Sequence, residues 1–359
     1  MLSLQRFMNS PRLQNQVSIL SNHRIEKMIY EFPKTELHLH IEGTFEPELM
    51  FEIAQRNKAK LPYKTVDDVR KAYKFTDLQS FLDIYYNAMS VLLHERDFYE
   101  LTMAYLKKAV SQGVRHSEIF FDPQAHTNRQ VPFETIVNGI SQALDDGQKK
   151  LGITSKLIMC FLRDLTAASA METLENAMSF NDKIYAVGLD SKELGNPPKK
   201  FREVFKKARD AGFVAVAHAG EEAPPEYVWE ALDLLGVSRV DHGYHSLEDQ
   251  KLVDRLVKEQ IPMTACPLAS VGVSYFESMD KFPIKKMLDL GLLVMLNSDD
   301  PAYFGGYVAE NYKAVTTAVG LTEEDILKLL KNSFKASFLD ESAKQQYLTE
   351  IDIKTKQLT

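Results

Sequence analysis

Eight short runs of aliphatic and β-branched residues recur along the chain, each followed by a segment with helical periodicity. No other feature limits the available folds as much. The runs are TELHLHIEG (35–43), HSEIFFD (116–122), SKLIMCFL (155–162), IYAVGLD (184–190), VAVAHAG (214–220), RVDHGY (239–244), PMTACP (262–267) and LLVMLNSDD (292–300). Runs of this length, bounded by polar or glycine residues, read as strands. Between them lie segments such as SLEDQKLVDRLVKEQ, where Leu247, Val253 and Leu256 form one apolar stripe. Nearly continuous apolar strands alternating with helices imply a parallel sheet covered by helices. Repeated eight times, the pattern predicts a (β/α)8 barrel, although an open doubly wound sheet uses the same elements. The polar residues favour the barrel. His38, His40, His218, His242 and Asp299 fall at the C-terminal ends of predicted strands. A barrel gathers those ends round one mouth, whereas an open sheet spreads them along an edge.

One connection is abnormally long. Residues 44–115 hold several helix patterns, among them EPELMFEIAQRN, DLQSFLDIYYNAMSVL and ERDFYELTMAYLKKAVSQG. Insertions of this size over a barrel mouth act as lids or pocket walls. Phe75, Phe81, Tyr85 and Tyr86 are expected either to wall a pocket or to form helix–helix core. The barrel domain is expected over 31–359, with 1–30 as an N-terminal extension. That extension has no acidic residue before Glu26 and carries Arg6, Arg12 and Arg24. Such composition resembles an organellar transit peptide, but an ordinary extension lying against the domain is the reading adopted.

With 43 basic against 50 acidic residues the net charge is −7, which argues against a nucleic-acid partner. The two cysteines, Cys160 and Cys266, sit in apolar runs and read as reduced core thiols, not as a disulfide framework. No apolar run approaches the length that spans a bilayer, so no membrane partner is expected. The expected compartment is the cytoplasm, with the nucleus also open to the chain.

The chemistry begins in HLH. A strand alternates faces, so His38 and His40 share one side, with Leu37, Leu39 and Ile41 expected on the other. Two imidazoles on one face of a buried strand are costly unless something binds them. AVAHAGEE adds His218 and Glu221, RVDHGYHS adds His242, and MLNSDDPAYFGG adds Asp299 and Asp300. Three imidazoles and a carboxylate suit a divalent metal, zinc first. His38, His40, His218 and Asp299 could hold it, leaving Glu221, His242 and Asp300 for proton and substrate work. Each residue has a structural alternative. His218 could be a satisfied core histidine, His242 a loop residue, and Asp299 and Asp300 caps for the helix after Pro301. All of these must hold together for the site to vanish.

Other motifs are missing. There is no H-E-x-x-H helix, no G-x-x-x-x-G-K-S/T loop and no glycine fingerprint after a first strand. TACPLAS supplies only a lone cysteine where nucleic-acid deaminases use P-C-x-x-C. The fourth run has no lysine to bridge two ions, which favours one metal.

HLHIEGT, HAGEE, DHGYHS and NSDDPAYFGG together resemble the adenosine/adenine deaminase family of the amidohydrolase superfamily, from about residue 31 to the end. The resemblance implies a (β/α)8 barrel with one zinc per chain that hydrolyses the 6-amino group of a purine. It implies His38, His40, His218 and Asp299 as metal ligands and Glu221 as proton donor. His242 would orient the hydroxide and Asp300 would contact the purine. GLDSKELGNPP, FFDPQAHT and DPAYFGGY look like the adenine branch, so the expected reaction is adenine and water to hypoxanthine and ammonia. Glu193 is then expected to accept from the ring N–H of the free base. Ala269 and Ser270 after the seventh run, and Asp164 after Arg163, depart from the family pattern. They leave adenosine or an N6-substituted adenine as alternative substrates. A purine-binding chain without turnover is the alternative class, and oligomeric state is left open.

Overall fold

The computed structural model describes residues 23–358. Its strands are β1 (Lys34–His40), β2 (Val114–Phe121), β3 (Thr154–Leu162), β4 (Ile184–Asp190), β5 (Val214–Ala219), β6 (Arg239–His242), β7 (Pro262–Ala265) and β8 (Leu293–Leu296). They lie side by side in chain order, and every neighbouring pair is parallel. Asp299, just past β8, bridges to Leu39 and closes the ring. His40 N–H donates to the Asp299 carbonyl and Asp299 N–H to the His38 carbonyl, both at 3.1 Å. The result is a (β/α)8 barrel and not an open sheet.

Four strands stop two or more residues short of the sequence runs that announced them, at His40, His242, Ala265 and Leu296. Asp299 and His242 turn the backbone out of the extended region, with φ of 66° and 67°. The polar tails of those runs therefore leave the sheet and line the mouth.

The expected alternation in β1 holds only in part. Leu39 and Ile41 join the large core between strands and helices, but Leu37 clusters separately with Met295 and Ala336. The register of β1 against β2 shifts between Glu36 and Leu39, and a one-residue shift moves a side chain to the other face. A second cluster of Phe120, Ile158, Cys160, Ala186 and Val216 comes from β2 to β5. Its Phe120 ring lies 5.0 Å from that of His38 and 4.9 Å from that of His40, supporting both imidazoles.

Helix α1 (23–31) precedes the barrel, and the long connection after β1 folds as α2 (Pro47–Asn57), α3 (Val66–Ala72), α4 (Leu78–Ala88) and α5 (Glu95–Ser111). Capping boxes start α3 at Thr65 and α4 at Asp77, each satisfying two orphan amides. The last helix is not part of a lid. It buries Leu101, Tyr105 and Leu106, packs along the helix Phe133–Leu151 and leads into β2. It is the crossover helix of the first βα unit, so the cover over the mouth is narrower than 44–115 and centres on α4. Of the expected extension, residues 1–22 lie outside the described residues. The remainder belongs to α1, where Met28 and Ile29 are buried and Arg24 pairs with Glu323 at 2.9 Å. Among the described residues no helix is long and apolar enough to cross a membrane.

Candidate active site

His38 and His40 end β1, His218 sits in β5, and Asp299 follows β8. One donor atom from each lies within 4.8 Å of all the others. His40 Nε2 and His218 Nε2 are 3.2 Å apart, and Asp299 Oδ1 is 3.2 Å from His38 Nε2 and 3.5 Å from His40 Nε2. Ligands roughly 2.0–2.1 Å from one tetrahedral ion stand about 3.4 Å from one another, so the spacing fits a metal. The bonding pattern fits too. Buried His38 Nε2 has no hydrogen-bond partner, an arrangement that costs free energy unless a cation takes the lone pair.

Outer contacts fix the ligand rings. His38 Nδ1 meets Thr264 Oγ1 at 2.8 Å and lies 3.6 Å from Asp241 Oδ1, while His40 Nδ1 lies 3.4 Å from Asp190 Oδ2 without a hydrogen bond. Asp241 is itself held by fully buried Arg239 at 3.1 Å, and Arg239 also pairs with Glu118. Partners of this kind set tautomer and orientation. A second grouping would exchange His40 and His218 for His242 and Cys266. Burial pushes the Cys266 thiol well up, which disfavours the thiolate a metal needs.

Next to this set stands His242, with Nε2 at 3.3 Å from Glu221 Oε1 and 3.8 Å from Asp299 Oδ2. Burial, reinforced by the imidazole of His38, lowers its pKa to about 3, so the ring is neutral near pH 7 and keeps a lone pair. Glu221 moves the other way: burial and then the Asp299 charge raise it well above the usual carboxylate range. Asp300 is raised for the same two reasons, and its Oδ1 has no partner. Asp300 occupies the N-cap position of the short helix after Pro301 but makes no side-chain cap, so the capping alternative fails for it.

These groups share one cavity, lined also by Leu78, Phe81, Leu82, Tyr85 and Tyr86 from α4. Of the four aromatics singled out in the sequence, Phe81, Tyr85 and Tyr86 form wall, while Phe75 packs edge-on against Phe81 and Phe304. Tyr86 OH reaches Ser191 Oγ at 3.1 Å and ties the cover to the loop after β4.

Glu193 is not where the sequence reading expected it. It is fully buried, does not line the cavity, and spends both carboxylate oxygens on backbone amides. A carboxylate enclosed in this way, outside the cavity lining, does not face a ring N–H of a bound base. The cavity instead presents Asp122 and Asp190, which sequence reasoning missed. Oδ1 of Asp122 and both oxygens of Asp190 lack hydrogen-bond partners. Their signal was present: each acid closes a strand run at its C-terminal end, directly after apolar residues, in FFD and GLD. Of the departures from the family pattern, Asp164 is exposed and away from the cavity, while Ala269 lines it. Ser270 Oγ donates to Tyr244 OH at 3.0 Å, and that hydroxyl lies 3.4 Å from His242 Nδ1.

A closed parallel barrel with a buried His/Asp cluster and two raised carboxyls at its mouth defines a metal-dependent hydrolase of the amidohydrolase type. The sequence places it further. Residues 33–354 match the family model described as adenosine deaminase, and the chain belongs to that family. It is 56% identical over 335 residues to the adenine deaminase of Chlorobium phaeobacteroides, covering 93% of this chain and all of that one. The crystal structure of adenine deaminase from Arthrobacter aurescens superposes with a TM-score of 0.89 at 47% identity, covering 90% of this chain and 99% of that one. A zinc-bound amidohydrolase from Burkholderia ambifaria does so with a TM-score of 0.85 at 26% identity, over 93% and 94% of the two chains.

Proposed function

We propose that this protein is a zinc-dependent adenine deaminase, converting adenine and water to hypoxanthine and ammonia as a step of purine salvage. The observation that carries the reading is a cluster of four metal-donor side chains, three of them lining one covered cavity together with a neutral imidazole and two raised carboxyls. The relatives named above, acting on adenine at 56% and 47% identity, support the choice of base.

His38, His40, His218 and Asp299 would hold one zinc ion. When bound, it supplies Lewis acidity and a water that ionises near neutral pH. His242 receives the proton of the attacking water at Nε2 and holds the nucleophile toward C6. Attack at C6 breaks the aromaticity of the ring and builds charge on N1. Glu221, protonated, donates there and neutralises it as it forms. Asp300, also protonated, donates to N7 and sets the face presented to the water. The proton held by His242 passes to the amino group, and ammonia leaves the tetrahedral carbon as the C6 hydroxyl returns a proton to Glu221. Residues of α4 exclude bulk water, which strengthens every charge interaction inside. The compartment that fits two free, buried thiols is the cytoplasm.

Ammonia release from adenine, adenosine and N6-methyladenine, measured side by side, tests the reading. Adenine is expected to react fastest. Preference for adenosine or for the methylated base overturns the assignment, and tight binding of adenine without ammonia release makes the chain a purine-binding relative.

A further inference from the structure

We infer that Glu193 is a positioning residue for the proton donor: its carboxylate clamps the backbone loop that aims Glu221 into the cavity. The inference rests on the reading of Glu221 as that donor.

The contact is unusual in its density. Glu193 Oε1 accepts from Gly220 N–H at 2.7 Å, and Oε2 accepts from the amides of Glu221, Glu222 and Ala223 at 3.0, 2.8 and 3.0 Å. Four consecutive amides thus converge on one buried anion. Successive N–H groups reach a common point only where the chain curls into a nest, and Gly220 supplies the required left-handed residue at φ +71°. A Cβ on Gly220 would also strike Val228 Cγ2 at 2.6 Å. The curl has no helix or strand to hold it, so the anion is its chief support.

Arg163 extends the brace to the metal site. It is fully buried at the end of β3, 3.8 Å from Glu193 Oε1. Its Nη1 donates to the His218 carbonyl at 2.7 Å, and its Nε donates to the Asn196 carbonyl at 3.0 Å. One arginine–glutamate pair therefore spans three βα loops. It holds the backbone of His218 on one side and of Glu221 on the other. The side chain of Glu221 leaves this clamped loop to stand 3.3 Å from His242 Nε2. Replacing Glu193 by Gln turns an NH2 toward amide donors and opens the curl.

A double-mutant cycle between Glu193→Gln and Glu221→Gln in the full-length holoenzyme tests the inference, with metal content and thermal melting recorded for each variant. Glu193→Gln should keep its metal and lower kcat roughly 100-fold, the scale of a misplacement of about 1 Å, with little change in KM. In the Glu221→Gln background the same substitution should change kcat by less than about threefold, because the group it positions is gone. A 100-fold loss in both backgrounds overturns the inference, as does a lowered melting temperature with unchanged kcat. Near-normal turnover of Glu221→Gln alone would instead remove the reading of Glu221. Should Glu193→Gln not fold, Glu193→Asp keeps the charge, shortens the reach by one methylene and completes the same cycle.

Discussion

At the scale of single residues the site is assembled against local preference. Asp299 and His242 sit at φ of 66° and 67°, a region that costs non-glycine residues roughly 1–3 kcal/mol. Both are nevertheless buried and locked by ring closure and by the packing of imidazoles. Gly43 shows the opposite constraint: a Cβ there would fall on Asp300, within 2.7 Å of its Cα. Gly43→Ala should therefore displace Asp300 and lower kcat by about two orders of magnitude, with metal content unchanged. Normal turnover in that variant would show that the position of Asp300 is not needed. Glu221→Gln should keep its metal and bind purine yet lose roughly 10²–10⁴ in turnover. Glu222, half-buried beside it, is the control, and Glu222→Gln should stay within a few-fold of wild type. Equal losses from the two would mean that the loop, and not the carboxyl, is being perturbed.

At the scale of elements, the cover over the mouth depends on how α2 and α5 are pinned beneath α4. Asp97, fully buried near the start of α5, accepts from Arg56 at 2.6 Å, Asn57 at 2.6 Å, and the amides of Leu93 and His94 at 2.9 Å each. Burial opposes its ionisation, but the Arg56 guanidinium and these amides hold its carboxyl below the usual aspartate range. A depressed pKa stabilises the fold above about pH 4, where an unfolded aspartate is ionised, and the contribution fades as pH falls through the lower native value. Asp97→Asn should therefore cost about 1.5–3 kcal/mol at neutral pH. Its stability should also fall less steeply than that of wild type from pH 4 downward, as denaturant titration at each pH will show. Parallel acid profiles would remove Asp97 from the account. Tyr86→Phe cuts the single hydroxyl link between α4 and Ser191, and should raise KM more than it lowers kcat if that link closes the cover.

For the molecule as a whole, metal and fold are linked, because the four donors come from β1, β5 and the end of β8 and meet only in the closed barrel. Metal analysis should find about one zinc per chain. Chelation should lower the melting temperature and abolish activity, and zinc should restore both. Free metal at 1,000 times its Kd adds about 4 kcal/mol to apparent stability. In His218→Ala the chelator should shift nothing, and a shift of wild-type size there would place the metal elsewhere. The number of strands, their order and the gathering of His38, His40, His218, His242 and Asp299 at the mouth were legible in the sequence, whereas Asp122 and Asp190 were not singled out. Burial on both faces imposes apolar runs, and metal donors must stand where those runs end. Tertiary structure alone decided what carries no local signature. The bulge that sends Leu37 away from Leu39 is a matter of pairing with β2. The division of the long insertion into a cover and a crossover helix depends on what each helix packs against. The fate of Glu193 turned on four amides from another loop, and a carboxylate reads the same in sequence whether it faces a ligand or a backbone.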